Sequence, residues 1–279
     1  MFRYCAVHVL VVLYGDADLC NVMAEQPKTP SPFGVLIIHG FTATLDSVNA
    51  LYTPLRQLGL PVLMPQLAGH GASSPEALRG VTWEDWMNDA DKAFKELRGE
   101  ADRVIIIGHS MGALLALNLA VMYQSEVDSL VLVAPAIKLA SLLAPGRPLH
   151  FAAPLLSRII KKWDLKPYSG MRNQECAPHY AWVPTDAVVS FFELLKKSQS
   201  LLNKVNVPVF ILHNRRESTV LPESATILCE SIATGISEKS IMWLERSEHQ
   251  TFCDCERDKA VNAIIDYVSG RIARKSSAV

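Results

Sequence analysis

Cysteine is scarce in this chain: six in 279 residues, at 5, 20, 176, 229, 253 and 255, with no regular spacing. So thin a set makes no disulfide framework, and a fold of this length has to rest on buried apolar surface. Cys253 and Cys255 stand two apart, but only one carboxylate and one histidine accompany them. That is short of the ligands a metal site gathers, so no metal is expected. Positive charge is not in excess either. The formal net charge is −1, and basic residues gather only in short patches such as Lys161-Lys162 and 271–275. A nucleic-acid partner, which calls for a basic stripe, is therefore not expected. No apolar run approaches the roughly 20 residues of a spanning helix, so no integral membrane span is expected.

The N-terminus has two readings. MFRYCAVHVLVVLYG has one early arginine and an apolar run, the outline of a secretory signal, but no small-x-small cleavage site, and His8 interrupts it. A strand rich in Val, Tyr and Leu fits these residues better. The first reading implies secretion. The second implies a cytoplasmic protein whose residues 1–31 form an N-terminal extension of strand and linker.

What the chain does have is apolar residues, 49% of the total, arranged in short runs. GVLIIH (34–39), PVLM (61–64), VIIIG (104–108), LVLVA (130–134), VPVFILH (207–213) and SIMWL (240–244) do not alternate polar with apolar. Such runs suit parallel strands covered on both faces. Helical patterns lie between them. In TWEDWMNDADKAFKELR, Trp83, Trp86, Met87, Ala90, Phe94 and Leu97 share one face, with Thr82 as N-cap and Asp85 at the capping-box position. Ala260, Val261, Ile264, Ile265 and Val268 mark a last helix over 256–273. The fold class is therefore α/β, with a mostly parallel central sheet flanked by helices.

One interval breaks the alternation. Between Ala136 and Val207 the chain carries helical patterns over 150–162 and 185–197 and prolines at 145, 148, 154, 167, 178 and 184. Connections in such a sheet usually take about 2–6 residues. The spacing predicts an inserted cap at 137–206, with the core formed by 32–136 and 207–279.

The strand VIIIG runs into Gly108-His109-Ser110-Met111-Gly112, and an apolar helix pattern starts directly afterwards. G-x-S-x-G alone is a weak signal, but between strand and helix it forces the serine into a sharp turn. The turn lifts the hydroxyl clear of the sheet and aims the helix N-terminus at it. A serine hydroxyl needs a base to become a nucleophile, and the oxyanion it creates needs donors. The backbone N–H groups of Met111 and of Phe41, in the turn IIHGFTAT, are the candidates. His39 ends a strand on that side and is read as a turn-stabilising residue.

Taken together, LIIHGFTAT (36–44), PQLAGHGASS (65–74), TWEDW (82–86), GHSMG (108–112), PVFILHNRRESTVLPESA (208–225) and LERSEH (244–249) resemble the α/β-hydrolases of the bacterial carboxylesterase and monoacylglycerol lipase group. The resemblance runs from about residue 34 to the last helix. It implies an α/β-hydrolase fold and the order serine, acid, histidine, with the histidine on the loop after the last strand. His249 takes that position, whereas His213 ends a strand and faces the core. The family usually carries an aspartate four residues past the histidine of the preceding strand; here Glu217 stands there. Glutamate serves in triads of this kind. The competing reading is that Glu217 pairs with Arg215 or Arg216 at the surface. Glu223, at a helix start, Asp254, after the histidine, and Asp128, at the opposite end of the sheet, are poorer acids.

The implied activity is hydrolysis of carboxylic esters of short- to medium-chain acyl groups, monoacylglycerols among them. The partner is a small-molecule ester substrate and no cofactor is needed. The same triad also suits a thioesterase or an acyltransferase, and the fold alone suits a small-molecule-binding protein. Oligomeric state has no signature in the sequence.

Overall fold

The computed structural model describes residues 30–165 and 180–276. The two N-terminal readings, and Cys5, Cys20 and Cys176, lie outside these residues. In chain order the elements are β1 (Ser31–Ile38), α1 (Tyr52–Gln57), β2 (Val62–Leu63), α2 (Trp83–Arg98), β3 (Ala101–His109), α3 (Met111–Met122) and β4 (Val127–Val133). Then come α4 (Ala153–Ile159), β5 (Lys162–Asp164), β6 (Trp182–Pro184) and α5 (Thr185–Gln199). The chain closes with β7 (Val209–Asn214), α6 (Glu223–Ser231), β8 (Lys239–Leu244) and α7 (Arg257–Ser276).

Six strands form one parallel sheet in the order β2-β1-β3-β4-β7-β8. Each of the six apolar runs contributes one of them, because the sheet is buried on both faces. Leu36, Ile38, Ile106, Leu130 and Ile211 point into a core with α2, α3, α5 and α6. The intervening Val35, Ile37, Ile105, Val131 and Phe210 point into a second core with α1 and α7. A strand with apolar neighbours on both sides has no polar face to alternate with.

The helix at 83–98 forms as its periodicity predicts, burying Trp86, Ala90, Phe94 and Leu97. Its start is fixed by the Asp85 carboxylate, which accepts from the Thr82 backbone N–H at 2.8 Å and hydroxyl at 3.1 Å. The pattern over 150–162 is interrupted. After a 3-10 turn at His150–Ala152, α4 ends at Ile159, and Lys162–Asp164 pairs antiparallel with Trp182–Pro184. That pairing reaches some twenty residues along the chain and leaves no trace in local periodicity. β1 begins at Ser31, paired with Ala101, so the sheet takes in the last residue of the expected extension. No helix among the described residues is long and apolar enough to cross a membrane.

The strand order reverses at β1, whose neighbours are β2 and β3. In open parallel sheets the crevice beyond the carboxyl ends at such a switch is where ligands bind. The loops after β1, β3, β7 and β8 all emerge at that edge.

Candidate active site

Ser110 sits between β3 and α3 with φ 54° and ψ −112°, a conformation that side-chain-bearing residues rarely adopt. Strain of this kind costs about 1–3 kcal/mol and persists only where the surroundings impose it. Here they do. A Cβ at Gly108 would collide with the carbonyl of Gly112, and one at Gly112 with the carbonyl of Ile38. The turn can be this tight only with glycine at both positions. Hydrogen bonds hold the serine in place, from its N–H to the Val133 carbonyl at 2.9 Å and from the Ala113 N–H to its own carbonyl at 3.1 Å.

The Ser110 hydroxyl lies 2.9 Å from Nε2 of His249, and Nδ1 of the same ring lies 2.8 Å from Oε2 of Glu217. All three residues are buried. Glu217 is not a surface ion-pair partner: Arg215 instead pairs with Glu245 at 3.3 Å and lies over the ring of Trp243. The other Glu217 oxygen accepts the N–H groups of Thr219 at 2.7 Å and Val220 at 3.2 Å. Burial alone would raise this carboxyl's pKa. The charge and hydrogen bond of His249, together with those two N–H donors, outweigh burial and hold it at about 2. It is a carboxylate across the range in which enzymes work, and an ionised partner fixes the imidazole with Nδ1 protonated and Nε2 free to accept the serine proton.

Phe41, in the loop after β1, and Met111, the first residue of α3, also lie at this edge. Their backbone N–H groups have no protein acceptor among the described residues, and Met111 opens α3, whose first-turn donors are unused by the helix itself. The neighbouring Thr42 has φ 62°, a second strained residue in the facing turn. Phe41 is wedged among rings: it stacks on Phe191 of α5 at 5.1 Å and meets His70 and Trp86 edge-on. His39 bridges the turn as expected, with Nδ1 2.9 Å from the Gly40 carbonyl and Nε2 accepting the Leu67 N–H at 3.2 Å.

The loop carrying His249 is tied down by groups that the motifs do not reveal. The Glu256 carboxylate accepts the N–H groups of Arg246 at 2.7 Å and Ser247 at 3.0 Å. Asp254, a candidate acid from sequence, accepts the Glu248 N–H at 2.7 Å instead. Asn214 donates to the Glu248 carbonyl and to the Thr251 hydroxyl. His109, beside the serine, has Nε2 at 2.9 Å from the His249 backbone carbonyl, so this nitrogen carries the proton. The one visible hint is that Asp254 and Glu256 follow closely on LERSEH. Of the other rival acids, Asp128 pairs with Arg271 at 2.8 Å and Glu223 opens α6.

A cavity of about 420 Å³ opens onto Ser110 and His249. Its walls are mainly apolar and come from Phe41, Leu139, Trp163, Val188, Phe191 and Phe192. Among the described residues, Asp164 is the one acidic side chain in the lining. Such a space has the size and lining to take a small, largely apolar molecule.

The sequence and the fold both have known relatives. Residues 32–256 match the family described as serine aminopeptidase, S33 (Hydrolase_4). A thermostable monoacylglycerol lipase of Bacillus sp. (strain H-257) is 24% identical over 239 residues, spanning 85% of this chain and 90% of the lipase. A carboxylesterase of Bacillus subtilis (strain 168) is 26% identical over 250 residues, spanning 86% and 96%. Among solved structures, a chain from work on the metagenome-derived lipolytic enzymes LipS and LipT superposes with a TM-score of 0.78 at 23% identity, covering 86% of this chain and 95% of its own. The monoacylglycerol lipase of Paleococcus ferrophilus superposes at 0.70 with 21% identity, covering 87% and 96%. The matched region takes in all of the sheet but Ser31 and every loop that bears the site, and the chain belongs to the serine aminopeptidase S33 family of α/β-hydrolases.

Proposed function

We propose that this protein is a serine hydrolase that cleaves carboxylic esters of short- to medium-chain acyl groups through an acyl-enzyme. The observation that carries the proposal is the unbroken relay from Glu217 through His249 to Ser110, at 2.8 and 2.9 Å, ending at the floor of an apolar cavity. In this reading Ser110 attacks the ester carbonyl carbon while His249 takes its proton. Glu217 orients the imidazole and stabilises its charged form, and the N–H groups of Phe41 and Met111 receive the oxyanion. As the tetrahedral intermediate collapses, His249 hands the proton to the leaving alcohol. Water then repeats the sequence on the acyl-enzyme, releasing the acid and restoring Ser110.

The residues 137–206 act as the cap that shapes the acyl pocket, through Leu139, Trp163 and the α5 side chains. The relatives named lipase and carboxylesterase support an ester as substrate. The family description names an aminopeptidase, whose substrate would bring an ammonium group needing carboxylate partners. A mainly apolar lining in which Asp164 is the one acidic side chain among the described residues favours the acyl ester.

A fluorophosphonate probe and a panel of chromogenic substrates test this. Ser110 is expected to be labelled in the folded protein, and 4-nitrophenyl butyrate to be turned over far faster than leucine 4-nitroanilide. In Ser110→Ala both labelling and turnover disappear, a fall of about 10⁴-fold or more. An unlabelled Ser110 would remove the catalytic reading, and preferred cleavage of the anilide would move the substrate class to peptides.

A further inference from the structure

One short stretch of chain, residues 133–140, touches both the nucleophile turn and the acid loop. Where it leaves β4 it lies against Ser110. The Val133 carbonyl accepts the Ser110 N–H at 2.9 Å, and the Ala136 N–H donates to the Ser110 carbonyl at 3.4 Å. Ala134, between them, is fully buried with φ 44°, a strained conformation for a residue with a side chain. A few residues further on, the same stretch meets the acid loop. The Ala140 N–H donates to the Thr219 carbonyl at 2.9 Å and the Leu221 N–H to the Lys138 carbonyl at 2.8 Å, with Leu139 and Val220 bridged antiparallel between them. The peptide unit joining Thr219 to Val220 therefore serves twice. Its N–H faces the Glu217 carboxylate at 3.2 Å, and its carbonyl takes the Ala140 N–H.

This link is locked from its far side by one hydroxyl. Ser224, fully buried in the first turn of α6, accepts the Lys138 N–H at 2.9 Å and donates to the Lys138 carbonyl at 3.1 Å. The Lys138 N–H has no other acceptor among the described residues. The Ser224 N–H in turn donates to the Leu221 carbonyl at 2.8 Å, which closes a ring of contacts around the acid loop. Gln199, the last residue of α5, donates to the Ile137 carbonyl at 2.8 Å. Beyond Lys138, Leu139 to Ser141 line the cavity.

We propose that Ser224 is a positioning residue for the triad: by fixing Lys138 it holds the link, and through the link it sets Glu217 in register with the nucleophile turn. The proposal rests on the ester-hydrolase reading, in which Glu217 is the working acid. Ser224 touches neither substrate nor the reacting atoms. Its hydroxyl holds one residue's backbone at two points, and two further backbone bonds tie that backbone to residues 219–221. Without the hydroxyl the Lys138 N–H loses its acceptor, the link shifts to find another, and the acid loop follows. A small displacement is enough, since a misplacement of about 1 Å costs about a hundred-fold in rate.

The test is a double-mutant cycle of Ser224→Ala with Glu217→Gln, read by kcat and KM on 4-nitrophenyl butyrate. Ser224→Ala alone is expected to lower kcat roughly ten- to a hundred-fold with KM little changed. In the Glu217→Gln background, where the acid is already lost, the same substitution is expected to cost less than about twofold. The proton between His249 Nδ1 and Glu217 is followed as a low-field NMR resonance. It is expected in the native chain and is shifted or lost in Ser224→Ala, with the near-UV circular dichroism unchanged. Should the alanine variant not fold, Ser224→Cys, which keeps the volume and weakens both hydrogen bonds, takes its place in the cycle. Native kcat in the Ser224 variant, with Glu217→Gln inactive, overturns the proposal and leaves the triad standing. An equal loss in both backgrounds overturns it too, because Ser224 would then act without Glu217. Native rates in Glu217→Gln remove the acid's role itself, and the proposal with it.

Discussion

At the carboxyl edge of the sheet, five histidines and Glu217 are buried among hydrogen-bond partners, whereas along 142–162 apolar side chains and the cations Arg158 and Lys161 face solvent. The first region has withdrawn its polar groups from water and satisfied most of them internally. The second has left its apolar groups outside. Catalytic geometry is served by the first arrangement, because a relay of 2.8 and 2.9 Å survives only where every neighbour is fixed. The cavity opens onto the first, and the residues flanking the second, Ser141 and Trp163, take part in its lining.

The largest expected effect breaks the first region by acid. Burial lowers the pKa of His39 and His213 to about 4, and burial with the nearby charge of another histidine lowers those of His70 and His109 to about 3. The folded protein keeps these rings neutral, while in the unfolded chain they protonate near the ordinary value of 6.5. The stability they contribute is complete above about pH 6.5 and is lost as pH falls towards 4 and then 3. Each such group costs up to about 1.4 kcal/mol per pH unit, and four together can exhaust the roughly 5–15 kcal/mol of an ordinary domain. Unfolding is therefore expected between pH 6 and 4. Glu217 adds its own loss only below its ordinary 4.5, as pH falls through about 2. Denaturant unfolding measured from pH 8 down to 4 should show stability falling from about pH 6.5; a flat profile down to pH 5 would contradict the neutral histidines.

Next in size is Glu217→Gln. The amide keeps the shape but offers His249 no charge, and its NH₂ turns the imidazole to the wrong tautomer. Turnover of 4-nitrophenyl butyrate is expected to fall about 10⁴-fold with KM little changed. Glu217→Asp keeps the charge but shortens the reach, and a misplacement near 1 Å costs about a hundred-fold. Rates near wild type in the Gln variant would pass the acid's role to another group.

His109 tests whether the tethers of the base loop matter. His109→Met removes the donor to the His249 carbonyl and leaves that buried acceptor short by about 1–3 kcal/mol. A fall in kcat of roughly tenfold, with KM unchanged, is expected. His109→Gln, with a donor in nearly the same place, should recover most of it. Nitrogen NMR of the native ring should report the neutral form protonated at Nε2, and the other tautomer would contradict the tether.

Some of this was legible in the residues and some was not, for physical reasons. The six strands could be read because a sheet covered on both faces writes itself as continuous apolar runs. Ser110 could be read because its turn excludes side chains at Gly108 and Gly112, a constraint that leaves a fixed spacing. Glu217 and His249 depended on loop order in the resembling family, because a carboxylate and a histidine 32 residues apart have no local pattern. The tethers from Asn214 and His109 were invisible, since sheet register alone brings them to the base loop. The strand at Lys162–Asp164 was lost inside an apparent helix for the same reason.

The smallest expected effect bears on the same loop. Arg215 stands two residues from Glu217 and was its plausible surface partner, yet it pairs with the exposed Glu245 and covers Trp243 at 4.4 Å. An exposed pair of this kind contributes about 0–1 kcal/mol, and the ring contact adds about 0.5–1 kcal/mol. Arg215→Ala is therefore expected to lower stability by no more than about 1–2 kcal/mol in denaturant unfolding and to leave kcat and KM unchanged. If Arg215 governed the Glu217 carboxylate, the substitution would instead shift the pH profile of kcat and slow turnover. The distance between this near-silent change and the loss expected at Glu217 measures how completely burial separates two charged neighbours on one short loop.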